Sequence, residues 1–154
     1  MAMDRRDSNS DIVSEVVSGC LMTRSRRISR VITNIYDQEL RDYGLNASQF
    51  SMLIMIAKLG GASRAEIGRA NFQDRTTLTR SLAPLLAEGW IEELPTDGGR
   101  SRPVVISDSG KKLLNDAAPA WREAQRKASQ LVGDVGAKAI IGVAESLQRV
   151  DEPK

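Results

Sequence analysis

The sequence predicts a mainly α fold that carries one small β-hairpin. Three observations lead there. Aromatic residues make up only 4% of the chain, too few for a sheet-dominated core. Most apolar residues recur at helical spacing, in runs that start beside Ser, Asn or Asp and stop at Gly. One stretch, residues 90–107, changes to a period of two around a Pro/Gly cluster. At 154 residues the length suits one domain with a real core.

Residues 1–9 and 151–154 are polar tails with nothing to bury, and 1–9 are expected to be disordered. The single domain is expected over 10–150. Ser10 or Asp11 can cap a first helix whose apolar positions run from Ile12 and Val13 through Val16, Val17, Cys20, Leu21, Ile28 and Ile32 to Leu40 and Tyr43. Unbroken to Gly44, it spans about 50 Å at ~1.5 Å per residue. That exceeds what a small domain can cover, so part of its stripe is expected to meet another subunit. Arg24, Arg26, Arg27 and Arg30 lie in its middle. They read as a solvated face, a cationic wall for an anionic ligand, or a contact to an acidic partner surface.

Asn46 with Gln49 resembles a capping box and opens a helix through Phe50, Leu53 and Ile56, stopped by Gly60-Gly61. Ser63 and Glu66 form a second box for a short helix ending near Ala70. Asp74 then caps a longer one, with Leu78, Leu82, Leu85 and Leu86 on one side. Thr76, Arg80 and Ala83 fall opposite, flanked by Thr77 and Thr79, and no acid follows Asp74 on that face. Arg75 falls nearer the packed side, and Pro84 is expected to kink the third turn. A short helix, a tight connection and a longer amphipathic helix are helix-turn-helix spacing. Strands expected at 90–94 and 103–107 follow directly, which makes residues 46–107 a winged helix-turn-helix. Arg100 and Arg102 sit at the hairpin tip beside two glycines, suited to a narrow minor groove.

Ser107 or Asp108 caps a further helix carrying Leu113, Leu114, Ala117, Trp121, Ala124 and Leu131, with a kink expected at Pro119 and a break at Gly133. Asp134 starts a last helix. Residues 10–44 and 108–150 together are expected to form a helical dimerisation region made from both chain ends.

Composition narrows the function. The chain has no histidine, which removes the commonest general base and the usual zinc ligand, and no catalytic or metal-binding cluster stands out. The reading is therefore not an enzyme, with no cofactor. One cysteine, Cys20, excludes an intrachain disulfide and suits a reducing compartment. No signal peptide and no apolar run near the ~20 residues of a membrane span are present, so a cytoplasmic location is expected. Residues 64–102 hold six arginines and six acids, so binding a polyanion requires the two signs to be segregated.

In order and spacing, YDQELRDYGLNASQFSML, SRAEIGR, DRTTLTRSLAPLLAEGWIEE, DGGRSRPVVIS, SDSGKKLL and APAWREAQ resemble the MarR family of bacterial transcription regulators, over about residues 15–150. The resemblance implies a homodimeric winged helix-turn-helix protein on a palindromic duplex operator, usually a repressor. Carried over by position, Thr76, Thr77, Thr79 and Arg80, with Arg75, lie on the groove-reading helix. Ser63 and Arg64 meet backbone phosphate, and Arg100 is the wing arginine with Asp97 orienting it. The family wing commonly has one residue between that acid and arginine; here Gly98-Gly99 intervenes, which leaves Arg102 as a second candidate. The resemblance also implies a small anionic aromatic effector, with Arg26, Arg27 or Arg30 as its cation, or oxidant sensing through Cys20. A winged-helix module that binds protein instead of DNA is the reading from a different class.

Overall fold

The computed structural model describes residues 7–96, 98 and 102–150. Its elements are α1 (Asp7–Gly19), α2 (Leu21–Leu40), a 3-10 turn (Arg41–Tyr43), α3 (Ala47–Leu59), α4 (Arg64–Ala70), α5 (Arg75–Ala87), β1 (Ile91–Glu93), β2 (Val104–Ile106) and α6 (Asp108–Val150). Local capping chemistry sets the middle helices. The Asn46 side chain accepts the Gln49 N–H at 2.8 Å, and Gln49 Oε1 accepts the Asn46 N–H at 3.0 Å. Ser63 and Glu66 do the same for α4, and Asp74 Oδ1 accepts the Thr77 N–H at 2.9 Å for α5. Each bond satisfies an N–H that the first helical turn leaves orphaned.

The structure departs from the sequence reading at both chain ends. The first helix starts at Asp7, so residues 7–9 are helical and do not belong to a disordered tail. Residues 1–6 and 151–154 lie outside the described part. The anticipated long first helix is also two helices, because Cys20 adopts an extended backbone (φ −70°, ψ 115°) between α1 and α2. Gly19 weakens the helix just before that point. The Arg24 guanidinium then donates to the carbonyl oxygens of Val17 at 2.7 Å and Ser18 at 3.0 Å, satisfying the open end of α1. Arg24 thus has a structural task.

Neither proline interrupts its helix. Helical dihedrals persist through Pro84 and Pro119, and the break inside α6 falls at Gly133 (φ 71°, ψ 167°). That conformation is essentially open to glycine alone. Residues 108–132 therefore form one continuous arm, and 134–150 a separate final helix.

The core is built around α3. Phe50, Leu53 and Ile56 are buried with Ile67 of α4, Leu78, Leu82 and Leu85 of α5, and Ile91 and Val104 of the hairpin. Leu40 of α2 and Ala117 of α6 close it from the side. The hairpin is antiparallel with Ile91 opposite Ile106 and Glu93 opposite Val104. Ala62 exchanges hydrogen bonds with Val104, so the segment before α4 serves as a third strand one bridge long. The small residues Ala117, Ala124 and Ala128 on α6 are buried, which lets α2 approach closely. The Tyr36 hydroxyl donates to Gln125 Oε1, and Lys127 pairs with Glu39, pinning the two arms together.

One junction joins the winged part to the α6 arm. Ser107 is buried; its hydroxyl donates to the Gly89 carbonyl at 2.6 Å and accepts the Gly110 N–H at 3.1 Å. Gly110 packs so closely there that an added Cβ would stand 2.1 Å from the Trp90 carbonyl oxygen. Gly110→Ala is expected to lower stability by at least about 2 kcal/mol, the scale of overpacking a close-packed site. Urea denaturation checks this; an unchanged midpoint would show that the junction is loose.

A candidate nucleic-acid interface

Three buried leucines decide which face of α5 is free. Leu78, Leu82 and Leu85 are at most 3% exposed, and Leu86 is partly buried. With that side committed to the core, Arg75, Thr76, Thr77, Thr79, Arg80 and Ala83 are all exposed. Arg75 is thus not on the packed side, as the helical wheel suggested. Thr77 Oγ1 donates to Asp74 Oδ2 at 2.7 Å and Thr79 Oγ1 to the Arg75 carbonyl at 2.9 Å. Thr77 therefore helps hold the cap. Thr76 and Arg80 keep their polar atoms for a partner, with no side-chain hydrogen bond or salt bridge to another described residue.

The helix before it is tied down. Arg64 Nε and Nη2 both reach Glu93 Oε1, at 2.8 and 2.5 Å, with the arginine side chain 39% and the glutamate 27% exposed. This pair locks the start of α4 to β1. It also occupies the guanidinium that the sequence reading assigned to phosphate. Ser63 is likewise engaged, its hydroxyl bonded to Glu66 Oε2 at 2.7 Å. Asp97 and Arg100, the expected wing pair, lie outside the described residues together with Gly99 and Ser101. Arg102 is described and exposed, at the end of the hairpin.

Electrostatics follow from these pairings. The Asp74 carboxyl is held below its ordinary range by hydrogen bonds from the backbone and hydroxyl of Thr77, and Glu66 by those from Ser63. Glu93 is paired with Arg64. Three of the module's acids are thus spent on internal donors, while Arg69, Arg75, Arg80 and Arg102 are exposed without a salt bridge among the described residues.

A cavity of about 1000 Å³ lies between α2, α3, α5 and α6. Its walls include Tyr36, Phe50, Met52 and Trp121, with Gln73, Ser81 and Arg122 as polar groups. Gln73 Oε1 is buried there without a hydrogen-bond partner among the described residues. None of Arg26, Arg27 and Arg30 lines it; all three are exposed on α2. The charged residue in the wall is Arg122, which the sequence reading passed over although it stands in the quoted stretch APAWREAQ. Cys20, at the break ahead of α2, is partly exposed. The backbone N–H and hydroxyl of Thr23 are the main causes that pull its thiol pKa down, with Arg24 adding to them.

A folded carboxyl with a depressed pKa stabilises above its unfolded value and loses that stabilisation as pH falls. Thermal stability is accordingly expected to drop from about pH 5 to pH 3, around the ordinary carboxylate range. Asp74→Asn keeps the capping acceptor but cannot titrate, so it should lose less over that interval. Identical pH profiles by circular dichroism would show that Asp74 contributes nothing to acid lability.

Comparison with known proteins bears on the family and the fold. Residues 43–100 match the sequence profile of the MarR family. The Multiple antibiotic resistance protein MarR of Salmonella typhimurium is 28% identical over 127 residues, 80% of each chain. The HTH-type transcriptional repressor NicR of Pseudomonas putida is 29% identical over 92 residues, 59% of this chain and 58% of its own. Among solved structures, the Mycobacterium tuberculosis transcriptional regulator MOSR in complex with DNA is 28% identical, with a TM-score of 0.71 over 86% of this chain and 98% of that one. A MarR variant from Escherichia coli complexed with operator DNA has the same fold at 16% identity, with a TM-score of 0.75 over 86% of this chain and 96% of its own.

Proposed function

Because the chain belongs to the MarR family of transcriptional regulators, we propose that it is a homodimeric repressor that reads a palindromic operator with α5. The observation that carries this reading is the free face of α5: Thr76 and Arg80 exposed on a helix whose opposite face is the core. Arg80 suits a bidentate pair with guanine O6 and N7, and Thr76 suits phosphate or a thymine methyl. Arg102 is the described candidate for the minor groove, with Arg100 beside it in sequence and Asp97 its orienting acid. Ser63 and Arg64 act mainly by holding α4 against the hairpin.

Dimerisation is supported by apolar side chains left uncovered at both chain ends. On α1 and the start of α2 these include Val17 and Leu21, the latter 84% exposed; after Gly133 they include Val135, 83% exposed, Ile141 and Leu147. Faces of this kind rarely stay open to water, and a second copy offers the matching surface. A twofold dimer then sets its two α5 helices about one DNA turn apart, ~34 Å.

The cavity is the proposed site of a small anionic aromatic effector. Arg122 supplies its countercharge, Trp121 and Phe50 its apolar walls, and Gln73 Oε1 an acceptor for a ligand hydroxyl. Cys20 supports a second control, because its lowered thiol pKa raises the thiolate fraction. A peroxide would transfer one oxygen to that thiolate, giving sulfenic acid and releasing hydroxide.

Selection of bound sequences from random duplex DNA tests the operator reading and should return an inverted repeat. On that operator, Arg80→Ala is expected to erase about 1–3 kcal/mol of discrimination at one base pair in each half-site. Discrimination equal to wild type would remove Arg80 from the base-reading set. A salt titration separates this reading from a protein-binding module, since affinity for DNA should fall steeply with salt. For control, Arg122→Ala should abolish release by effector, and full oxidation of Cys20 should weaken operator binding. Binding indifferent to oxidation would end the cysteine reading.

A further inference from the structure

The turn between α4 and α5 carries an aromatic residue that the fold does not use. The turn is tight: a Cβ at Gly68 would stand 3.0 Å from the Gln73 carbonyl oxygen. It closes with two bonds, from the Phe72 N–H to the Arg69 carbonyl at 3.2 Å and from the Gln73 N–H to the Gly68 carbonyl at 2.9 Å. That pattern is a Schellman motif, whose left-handed position is normally glycine. Here Phe72 occupies it, with φ 51°. A bulky side chain at positive φ is a genuine outlier. Packing does not account for it: Phe72 is 63% exposed and belongs neither to the core nor to the residues packed against it. Its neighbours Asn71 and Gln73 line the cavity, and Phe72 does not.

Its place in the chain suggests what it meets. Phe72 stands two residues before Asp74, the cap of α5. Helix-turn-helix proteins present the N-terminal end of the second helix to base edges in the major groove. The apolar group displayed there is the thymine methyl. We propose that Phe72 is a specificity-determining residue that packs its ring on a thymine methyl at the groove edge, next to the bases read by Thr76 and Arg80. This rests on the operator reading above. Strain at the turn is retained because glycine, which the backbone prefers, has no ring to offer.

The test uses the full-length protein and the operator found by selection, with each thymine replaced in turn by deoxyuridine, which lacks only the methyl. Replacement at one symmetry-related pair of thymines is expected to weaken wild-type binding about ten-fold, as two half-sites each lose roughly one methyl contact. Phe72→Gly should weaken binding to the unmodified operator by a similar factor, be indifferent to deoxyuridine at that pair, and raise the midpoint of thermal unfolding as the strain is relieved. Phe72→Leu, which retains an apolar tip, should keep part of the deoxyuridine effect. Wild-type binding insensitive to every deoxyuridine, or Phe72→Gly binding as wild type does, overturns the proposal while leaving the operator reading intact. A wild-type protein that selects no duplex overturns both.

Discussion

The burial of Leu78, Leu82 and Leu85 is the constraint on which the rest depends. These side chains fill the space between α3 and the hairpin, and a helix has only one face to give. Once they are inside, the rotation of α5 about its axis is fixed, and so is the set of side chains that leaves the surface. The Asp74 cap fixes where the helix begins, so the register of Thr76 and Arg80 is set as well as their direction. The direction of Thr76 and Arg80 thus follows from packing, while Thr77 on the same face helps to hold the cap.

The same economy resolves the charge balance. A module with as many acids as arginines is a poor candidate for a polyanion on net charge alone. In the folded protein Asp74 and Glu66 accept bonds from helix N-termini, where negative charge is favoured by the helix dipole, and Glu93 is matched to Arg64. Glu93 and Arg64 thus offset each other, while Asp74 and Glu66 stay ionised against the positive helix ends. Glu88 and Glu92 are exposed with Arg69, Arg75, Arg80 and Arg102, so a polyanion must meet the arginines at positions apart from those two acids.

How much of this was legible in the sequence follows from the range of the interactions. The two capping boxes and the Asp74 cap span three residues each, and a local pattern can be read from a string. The period-two stretch likewise announced a hairpin, although its ladder is shorter than the strands expected. The break at Cys20 was hidden because the apolar stripe continues straight across it; Gly19 was the available signal. The Arg64–Glu93 pair joins residues far apart in sequence, so Arg64 looked free. The cavity is assembled from four helices, so no local pattern marks Arg122 as its cation, and Arg26, Arg27 and Arg30 lie elsewhere on α2. Phe72 broke the rule that left-handed positions are marked by glycine. No pattern in the residues alone would have located it.

The Ser107–Gly110 junction has a mechanical consequence. With Trp90 carbonyl pressed against Gly110, the hairpin and the first turn of α6 have no room to swivel. Across this close-packed joint the winged part continues into residues 108–132, an arm about 37 Å long at ~1.5 Å per residue. A rotation of only about 5° at the far end of such an arm carries its tip by roughly 3 Å, close to the ~3.4 Å spacing of stacked base pairs. In the proposed dimer, a ligand in the cavity or chemistry at the chain ends would not have to deform either α5 to change its spacing from the other. A tilt of the arm by a few degrees would put the two out of step with the double helix.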